Sequence, residues 1–463
     1  MVSFPITARL LDTEQFGIFS YFDTCGLLIA ALLKFGCGDT MVRFYPHEGN
    51  EKEFMKFWSS FLIAPAMIAF AIWIVIMIVA FALEAHGKFD NPTVIIFVLF
   101  QVMFTVFMSH ALWISRAREQ SKFNASFDVI TKWITVVVTL LILSQFWPAA
   151  EGVIFARLIC SFAFSIFLIN WLSRQIKFSF AEIDLKETKR GMRYGIPMAL
   201  SEISGVLLGL VDRLMIKHLM NDFSAVGIYS IGFGLASYFD QVITNAFSQA
   251  ITPVVNRLYK TQGEAAVLAF KRKLMNFLFY ISCGFICFLV IAGRDLLLTL
   301  AGADKEPAAE IFVIAAIFFS VMPVLKVAST GLLLGKRSDI HLIVILFAAV
   351  LNVGLNCFAI PTWGTIGALT STCFSLTVMN VLLYSFCPKP MRCLPEVTAM
   401  SRAVLAGSVC FLIITGTGIL VAQSHWARVL STFALVSVLY GGAIFSTDSI
   451  LRQTLRSLVH KKQ

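Results

Sequence analysis

Charged residues are scarce in this chain of 463 residues, where they make up only 14% of the sequence. A soluble protein of that length would carry nearer to a quarter. Apolar residues reach 58%, and they fall in windows of about 20 residues or more, the length at which a helix crosses a bilayer. The scarcity of charge therefore excludes an ordinary soluble protein, and the sequence predicts an all-α polytopic membrane protein.

Motifs that would hold a metal, a cofactor or a catalytic centre are also missing. The ten cysteines lie mostly inside apolar runs, with no CxxC motif and no His/Cys cluster. Residues 331–338 resemble a phosphate-binding loop, but one residue too few separates the glycines, and Arg337 separates the lysine from the serine. No soluble stretch is long enough for a glycosyltransferase or ATPase site. We therefore predict no enzyme activity, no metal and no cofactor.

The formal net charge of +10 could suggest a nucleic-acid partner, but the position of the cations argues against one. Most of the excess lies in short loops between apolar runs, where it orients a membrane protein. One set of alternate loops carries about 26 lysines and arginines, and the opposite set carries 6. By the positive-inside rule the first set is cytoplasmic, and the C-terminus lies on that side.

Thirteen complete spans and an N-terminal stub are predicted from the apolar runs. The stub, residues 1–11, is too short to cross a bilayer. Prolines at 65, 197 and 323 fall inside spans, so we expect kinked helices there. The spans are predicted at 17–41, 58–83, 92–115, 124–146, 151–173, 194–217, 225–255, 274–293, 308–334, 340–360, 364–386, 402–422 and 427–446.

An internal repeat divides the chain. Residues 9–20 resemble residues 217–230 with a gap of two residues, and one long helix follows each stretch. Both copies start on the same side of the membrane, which indicates a parallel repeat. A full helix precedes the second copy but only the stub precedes the first. Either the chain starts upstream of Met1 or its first helix is degenerate, and we favour the upstream start.

The repeat sets the expected domain organisation. The N-lobe should cover 1–175 and the C-lobe 194–388, each with six helices, the first of them incomplete. Residues 389–463 should add two C-terminal spans and a basic cytoplasmic tail. The linker 176–193 is rich in cations and fits either an amphipathic helix on the membrane surface or a solvated connection.

The long helix of the second repeat carries a polar stripe. Its polar side chains recur every three or four residues and share one helical face, which needs water, protein or a substrate within a bilayer. We interpret this face as the wall of a transport path, lined by Gln241, Asn245 and Gln249. Asp240 lies at mid-span, where an acid suits either ion coupling or a buried hydrogen bond.

Two groups of motifs carry a family resemblance. The first comprises YGxP at 194–197, DRxMI at 212–216 and VGIY at 226–229. The second comprises LNxxLNxxxIP at 351–361 followed by GxxGAL at 364–369, where glycines make a turn and allow close helix packing. In this order the motifs resemble Wzx-type polysaccharide flippases, which transport O-antigen or exopolysaccharide repeat units. Their superfamily also includes the MATE drug exporters and the lipid II flippase.

The resemblance implies a transporter of the bacterial inner membrane. Two lobes would face each other across a central cavity and rock in alternating access. The substrate would be an oligosaccharide repeat unit on undecaprenyl pyrophosphate, flipped from the cytoplasmic to the periplasmic leaflet for lipopolysaccharide or exopolysaccharide synthesis. Membrane lipids, together with the polymerase and chain-length regulator of the same pathway, are the other partners implied.

A lipid pyrophosphate would require cations inside the membrane. The candidate contacts are Lys34, Lys326, Arg157 and Arg213. Snorkelling to a helix end is the alternative for each, and an ion pair is a further alternative for Arg213. We add Asn352 and Asn356 to the cavity-lining candidates, and Asp212 and Asp23 to the ion-coupling candidates, although simple solvation near the periplasm also suits these two acids.

A cation-coupled multidrug exporter of the MATE type is the competing interpretation. It predicts uncompensated acids in the cavity, whereas the flippase predicts embedded cations. The basic residues inside the spans and the motifs favour the flippase. A polymerase or ligase would need a large periplasmic loop, and the predicted periplasmic loops are short.

Overall fold

The computed structural model describes residues 3–46, 50–86, 91–329, 332, 338–417, 424–448 and 452. Within these ranges the side chains of residues 3, 175, 243–250, 252, 253 and 338 are not described. The described chain is almost entirely helical and contains no β-strand, which confirms the all-α prediction. Eleven of its helical stretches are long and apolar enough to cross a membrane.

Fourteen helices are distinguished in the described chain. They are α1 (Ser3–Leu10), α2 (Thr13–Lys34), α3 (Cys37–Phe44), α4 (Glu51–Trp58), α5 (Ala64–Ala85), α6 (Pro92–Ala117), α7 (Ser121–Gln145), α8 (Ala150–Gln175), α9 (Leu185–Met220), α10 (Phe223–Ala301), α11 (Ala309–Ser329), α12 (Ser338–Phe386), α13 (Val397–Gly416) and α14 (His425–Thr447).

Two of these helices are interrupted by a glycine. The backbone of α10 leaves helical geometry at Gly263, where φ is 77°, and that of α12 does so at Gly364, where φ is 59°. Both angles lie in the left-handed region that glycine adopts without steric cost. Beside the second break, a methyl group at Gly367 would lie 2.0 Å from the carbonyl oxygen of Ala359. The turn and the close approach predicted for 364–369 are therefore confirmed.

The described chain forms two compact units. One comprises residues 10–227, and the other comprises 1–9 together with 228–463. This division differs from the lobes expected at 1–175 and 194–388, because α9 packs within the first unit. Its Gly195 lies so close to the end of α2 that a methyl group there would be 2.6 Å from the carbonyl oxygen of Phe35. Only glycine allows that backbone contact.

In the unit 10–227, α2 packs against α6, α8 and α9, while α6 and α7 both pack against α8. α2 ends at Lys34 because Phe35 and Gly36 both take left-handed angles, with φ of 51° and 63°. α3 then continues the chain and also packs against α6 and α9. The predicted single span 17–41 is therefore two helices joined at a sharp break.

A π-helical turn, Ser59–Ile63, joins α4 to α5. In this turn the amide of Ala64 bonds to the carbonyl of Ser59, five residues back. The next amide would be that of Pro65, which has none. The carbonyl of Ser60 is consequently open, and it accepts the Thr188 hydroxyl at 3.0 Å. The irregularity expected at Pro65 takes this form, whereas Pro197 and Pro323 lie inside α9 and α11.

The linker forms a strap, residues 176–184, that is extended apart from one 3-10 turn at Phe180–Glu182. Its amides at Ser179 and Asp184 bond to the hydroxyl oxygens of Ser59 and Ser60 at 3.0 and 2.9 Å. Residues 176–184 are therefore not an amphipathic helix, because the π turn supplies acceptors to their extended backbone. The side chains of Phe178 and Phe180 are exposed, and the alternative of a solvated connection stays a prediction.

An ion pair closes the end of the strap. The Asp184 carboxylate lies 2.8 Å from the ammonium of Lys56 and also caps α9, where it accepts from the amide of Lys186. The Lys56 ammonium, followed by these backbone bonds, holds the pKa of Asp184 below its ordinary value. The strap is therefore attached at its end by a group that titrates in acid.

The two copies of the repeat meet at their glycines. Asp12 and Asp222 accept hydrogen bonds from the amides two or three residues later, at the start of α2 and of α10. A methyl group at Gly17 would lie 1.9 Å from the carbonyl oxygen of Phe223, and one at Gly227 would lie 1.8 Å from that of Thr13. The contact is reciprocal and lies within the unit 10–227.

In the second unit, the short α1 lies against α10. The Arg9 guanidinium donates to the carbonyls of Thr299 and Leu300 at the end of that helix, and these are carbonyls that a helix end leaves without partners. α11 packs on α12, and α13 packs on α14. Tyr280 in α10 donates to Asp448 at 2.7 Å and accepts from Tyr440 of α14 at 2.8 Å through its carbonyl.

Candidate functional site

Among the described residues, three ion pairs join helices with both partners inside the spans predicted from the sequence. The first is formed by Lys34, the last residue of α2, whose ammonium lies 2.9 Å from Oε1 of Glu202 in α9. A cation at a helix C-terminus also interacts favourably with the helix dipole. The two side chains are 24% and 41% exposed. The left-handed break after α2 thus places Lys34 where the neighbouring helix supplies an acid.

Other polar groups surround this pair. The buried imidazole of His110 in α6 lies against the backbone of Lys34, and its Nε2 has no hydrogen-bond partner among the described residues. Asp39 in α3 lies within electrostatic range of Glu202 and of Arg116. Four helices therefore contribute ionisable side chains to this part of the unit.

The second ion pair joins α2 to α8. Nη1 of Arg157 donates to Oδ1 of Asp23 at 2.8 Å, and the side chains are 33% and 28% exposed. The guanidinium also lies 4.6 Å from the ring centre of Phe19, a cation–π distance. Asp23 faces an open pocket whose walls also include Gln101 and Thr105. The structure thus brings together a candidate substrate cation and a candidate coupling acid.

Arg213 and Asp212 lie in the C-terminal half of α9. Nη1 of Arg213 donates to the hydroxyl of Thr24, which is buried in α2, at 3.4 Å. Asp212 has no exposed surface. Simple solvation, which we considered for Asp212, is therefore wrong, because the carboxylate is enclosed by packed helices.

The third pair lies in the unit that contains α10 and α11. Nζ of Lys326 lies 2.9 and 2.7 Å from the two carboxylate oxygens of Asp240. The lysine side chain is 37% exposed and the aspartate only 14%. Again a candidate substrate cation and a candidate coupling acid are partners, here with the lysine in the last turn of α11.

The cavity-lining candidates have different surroundings. Gln241 is exposed, whereas the side chains of Asn245 and Gln249 lie outside the described part of the structure. Asn352 and Asn356 are both fully buried. Asn352 donates to Thr372 at 2.9 Å and accepts from Asn356 at 3.4 Å, so these amides join the two segments of α12 and line no open path in this conformation.

Chemically, these sites hold paired charges. Among the described residues, no group of three or more His, Cys, Asp or Glu side chains could bind a metal ion. Each unit instead contains a partly buried lysine paired with a carboxylate across two helices. Such pairs respond strongly to another ion or to protonation, because an uncompensated charge is costly there.

Comparison with known proteins adds a family to this geometry. A family model described as "Polysaccharide biosynthesis protein" matches residues 1–259, more than half of the chain. The chain belongs to the polysaccharide biosynthesis protein family. It is also 25% identical over 409 residues to an uncharacterized membrane protein of Methanocaldococcus jannaschii, with 82% of this chain and 90% of that protein covered.

Solved structures show the same fold. The lipid II flippase MurJ in an inward closed conformation matches with a TM-score of 0.74 and 12% identity, covering 96% of each chain. A multidrug resistance MATE family transporter of the MOP superfamily, in an inward-facing conformation, matches with a TM-score of 0.63 and 15% identity, covering 90% of this chain and 94% of that one. The fold class predicted from the sequence is confirmed.

Glu202 is the residue that sequence reasoning missed. It is an acid inside the predicted span 194–217, and a charge at such a position is itself a signal of function. The candidates were chosen as cations for an anionic substrate and as acids on the polar stripe or near the periplasm. Glu202 belongs to neither set, and only its partner Lys34 shows its place in the site.

Proposed function

We propose that this chain flips oligosaccharide repeat units carried on undecaprenyl pyrophosphate from the cytoplasmic to the periplasmic leaflet of the bacterial inner membrane. The polysaccharide biosynthesis family supports the pathway, and the flippase and exporter fold supports transport by alternating access. The observation that carries the proposal is the presence of an embedded lysine in each unit, Lys34 and Lys326. Both are suited to bind phosphate oxygens.

In this proposal, the embedded side chains have distinct tasks. Arg157 and Arg213 add contacts for the pyrophosphate as it moves through the periplasmic half. Asp240, with Asp212 and Asp23, couples transport to an ion. Gln241, Asn245 and Gln249 line the path. The C-terminus is cytoplasmic, and the polymerase and chain-length regulator of the pathway receive the product.

A cation-coupled exporter of the MATE type is the second candidate. The observation that favours it is the acid beside each embedded lysine, Glu202 and Asp240, because organic cations require carboxylates. The family match to polysaccharide biosynthesis favours the flippase instead. In cells lacking this chain, loss of surface polysaccharide with unchanged sensitivity to organic cations is the outcome expected of the flippase.

The embedded lysines provide a direct test. Lys34→Ala and Lys326→Ala, expressed in cells whose own copy is deleted, should abolish surface polysaccharide while the protein remains in the membrane. Lys132→Ala is the matched control, since Lys132 pairs with Asp128 on the surface of α7 with both side chains well exposed. Normal polymer in both embedded variants would contradict the proposed role of the lysines.

Asp240 is tested separately. Asp240→Asn should reduce the flux of lipid-linked substrate in proteoliposomes, because the amide cannot take up a proton or hold a cation as a carboxylate does. Flux is measured over a range of proton gradients. If the variant transports as fast as the wild type at every gradient, the coupling role of Asp240 is wrong.

A further inference from the structure

Each embedded lysine that could receive the substrate is already bound by a carboxylate. Lys34 is held by Glu202 from α9, and Lys326 is held through both oxygens of Asp240 from α10. The carboxylate oxygens lie 2.7–2.9 Å from the ammonium, where phosphate oxygens would also lie. The two kinds of anion therefore compete for the same donor.

Electrostatics makes this competition strong. A second anion added beside an intact pair would repel the carboxylate at close range in a medium of low dielectric constant. If the carboxylate leaves, its own charge must be neutralised or hydrated, since an uncompensated buried charge is costly. An anion must therefore compensate the lysine better than the carboxylate does. A pyrophosphate, with several negative charges and many acceptor oxygens, meets that condition, and a singly charged lipid headgroup does not.

We propose that Glu202 and Asp240 are exchangeable counter-ions, displaced from Lys34 and Lys326 by the pyrophosphate of the substrate and restored when it leaves. The inference rests on the proposed function and adds two carboxylates that set the anion selectivity of the same site. The two carboxylates lower the affinity of the site for every anion, and they exclude singly charged anions most strongly.

Each exchange also changes the connection between two helices. The pair at Lys34 joins α2 to α9, and the pair at Lys326 joins α10 to α11. When pyrophosphate takes the lysine, that bond between helices is lost. Occupancy by the substrate is thereby linked to the freedom of the helices to move, and by reciprocity any cation that neutralises the freed carboxylate promotes anion binding.

Neutralising either carboxylate should tighten the binding of a pyrophosphate, because the lysine is then no longer held by a competing anion. With the full chain in lipid nanodiscs, Asp240→Asn and Glu202→Gln should each bind farnesyl pyrophosphate more tightly than wild type, by on the order of ten-fold, within the range usual for coupled sites. The matched control is Asp128→Asn, which removes the exposed partner of Lys132 and should change nothing. Inorganic pyrophosphate, tested in parallel, separates recognition of the headgroup from recognition of the prenyl chain.

A double variant distinguishes exchange from a structural role. Adding Lys326→Met to Asp240→Asn should remove the gain in affinity, because the donor is gone. Asp240→Glu keeps the charge, and it should bind like the wild type even if the neutral variant folds poorly. Unchanged or weaker binding in both folded neutral variants would overturn the inference while leaving the proposed function intact. If neither the wild type nor any variant bound either pyrophosphate, the proposed substrate class itself would be wrong.

Discussion

The pair between Arg157 and Asp23 allows the stability and transport roles of one residue to be separated. In Arg157→Met, the carboxylate of Asp23 stays in place but loses its partner at 2.8 Å and faces a pocket whose walls include Val98 and Ile154. Asp23→Asn leaves the guanidinium without its charged partner in the same way. The variant without either charge, Asp23→Asn with Arg157→Met, leaves no charge unpaired.

The expected magnitude follows from the exposure of the pair. Fully exposed ion pairs contribute about 0–1 kcal/mol, and loss of one partner of a buried pair costs about 3–5 kcal/mol. With about a third of each side chain exposed, Arg157→Met should destabilise the protein by roughly 2 kcal/mol, and loss of the contact with Phe19 adds about 0.5–1 kcal/mol. The double variant should cost about as much as either single variant, and clearly less than their sum.

Unfolding in a mild detergent, followed by circular dichroism, measures the free energy of unfolding of the wild type, the two single variants and the double variant. Additive costs, or an Arg157→Met variant within about 0.5 kcal/mol of wild type, would refute the reasoning, because contacting charges must couple. Surface polysaccharide adds a second measurement on the same proteins. If transport is lost in Arg157→Met and restored in the double variant, Arg157 acts through Asp23 alone. If transport is lost in Arg157→Met and in the double variant, Arg157 contacts the substrate as proposed.

Two further predictions concern the strap and the buried amides. Because the folded pKa of Asp184 is lowered, its pair with Lys56 contributes stability above the ordinary carboxyl range, and this stability is lost as the pH falls through the folded pKa. The protection of the strap amides against hydrogen exchange, relative to their intrinsic rates, should therefore fall in acid below about pH 4, and Asp184→Asn should lower that protection even at neutral pH. Asn352→Leu should lower the free energy of unfolding by about 1–3 kcal/mol, because the Thr372 hydroxyl loses the hydrogen bond that Asn352 donates. Adding Thr372→Val should recover part of that loss. Equal stability of the wild type and Asn352→Leu in the same unfolding assay would contradict this prediction.

Local regularities made much of the fold predictable. A bilayer demands a helix of a certain length, so composition alone indicates most spans. Glycine at 364 predicted a turn because few other residues adopt its angles, and the structure has a break there. The repeat start near residue 222 was visible because the same capping aspartate occurs in both copies.

Contacts between distant residues explain what sequence reasoning missed. Nothing near Lys34 in the chain indicates Glu202, which lies 168 residues away. The break after α2 places Phe35 at a positive φ, which its side chain does not favour, and Gly195, 160 residues later in the chain, packs closely against it. The strap depends on hydroxyls of the π turn more than a hundred residues earlier. Such pairings exist only in three dimensions.

The reciprocal contact of Gly17 and Gly227 bears on how the chain arose. In a two-fold interface between identical subunits, residue i of the first subunit contacts residue j of the second, and residue j of the first contacts residue i of the second. Thr13 and Gly17 meet Phe223 and Gly227 in this way. A single ancestral repeat, before duplication, could have formed the same contact only with a second copy of itself. The two repeats of this chain thus pair with each other as two copies of one subunit would pair.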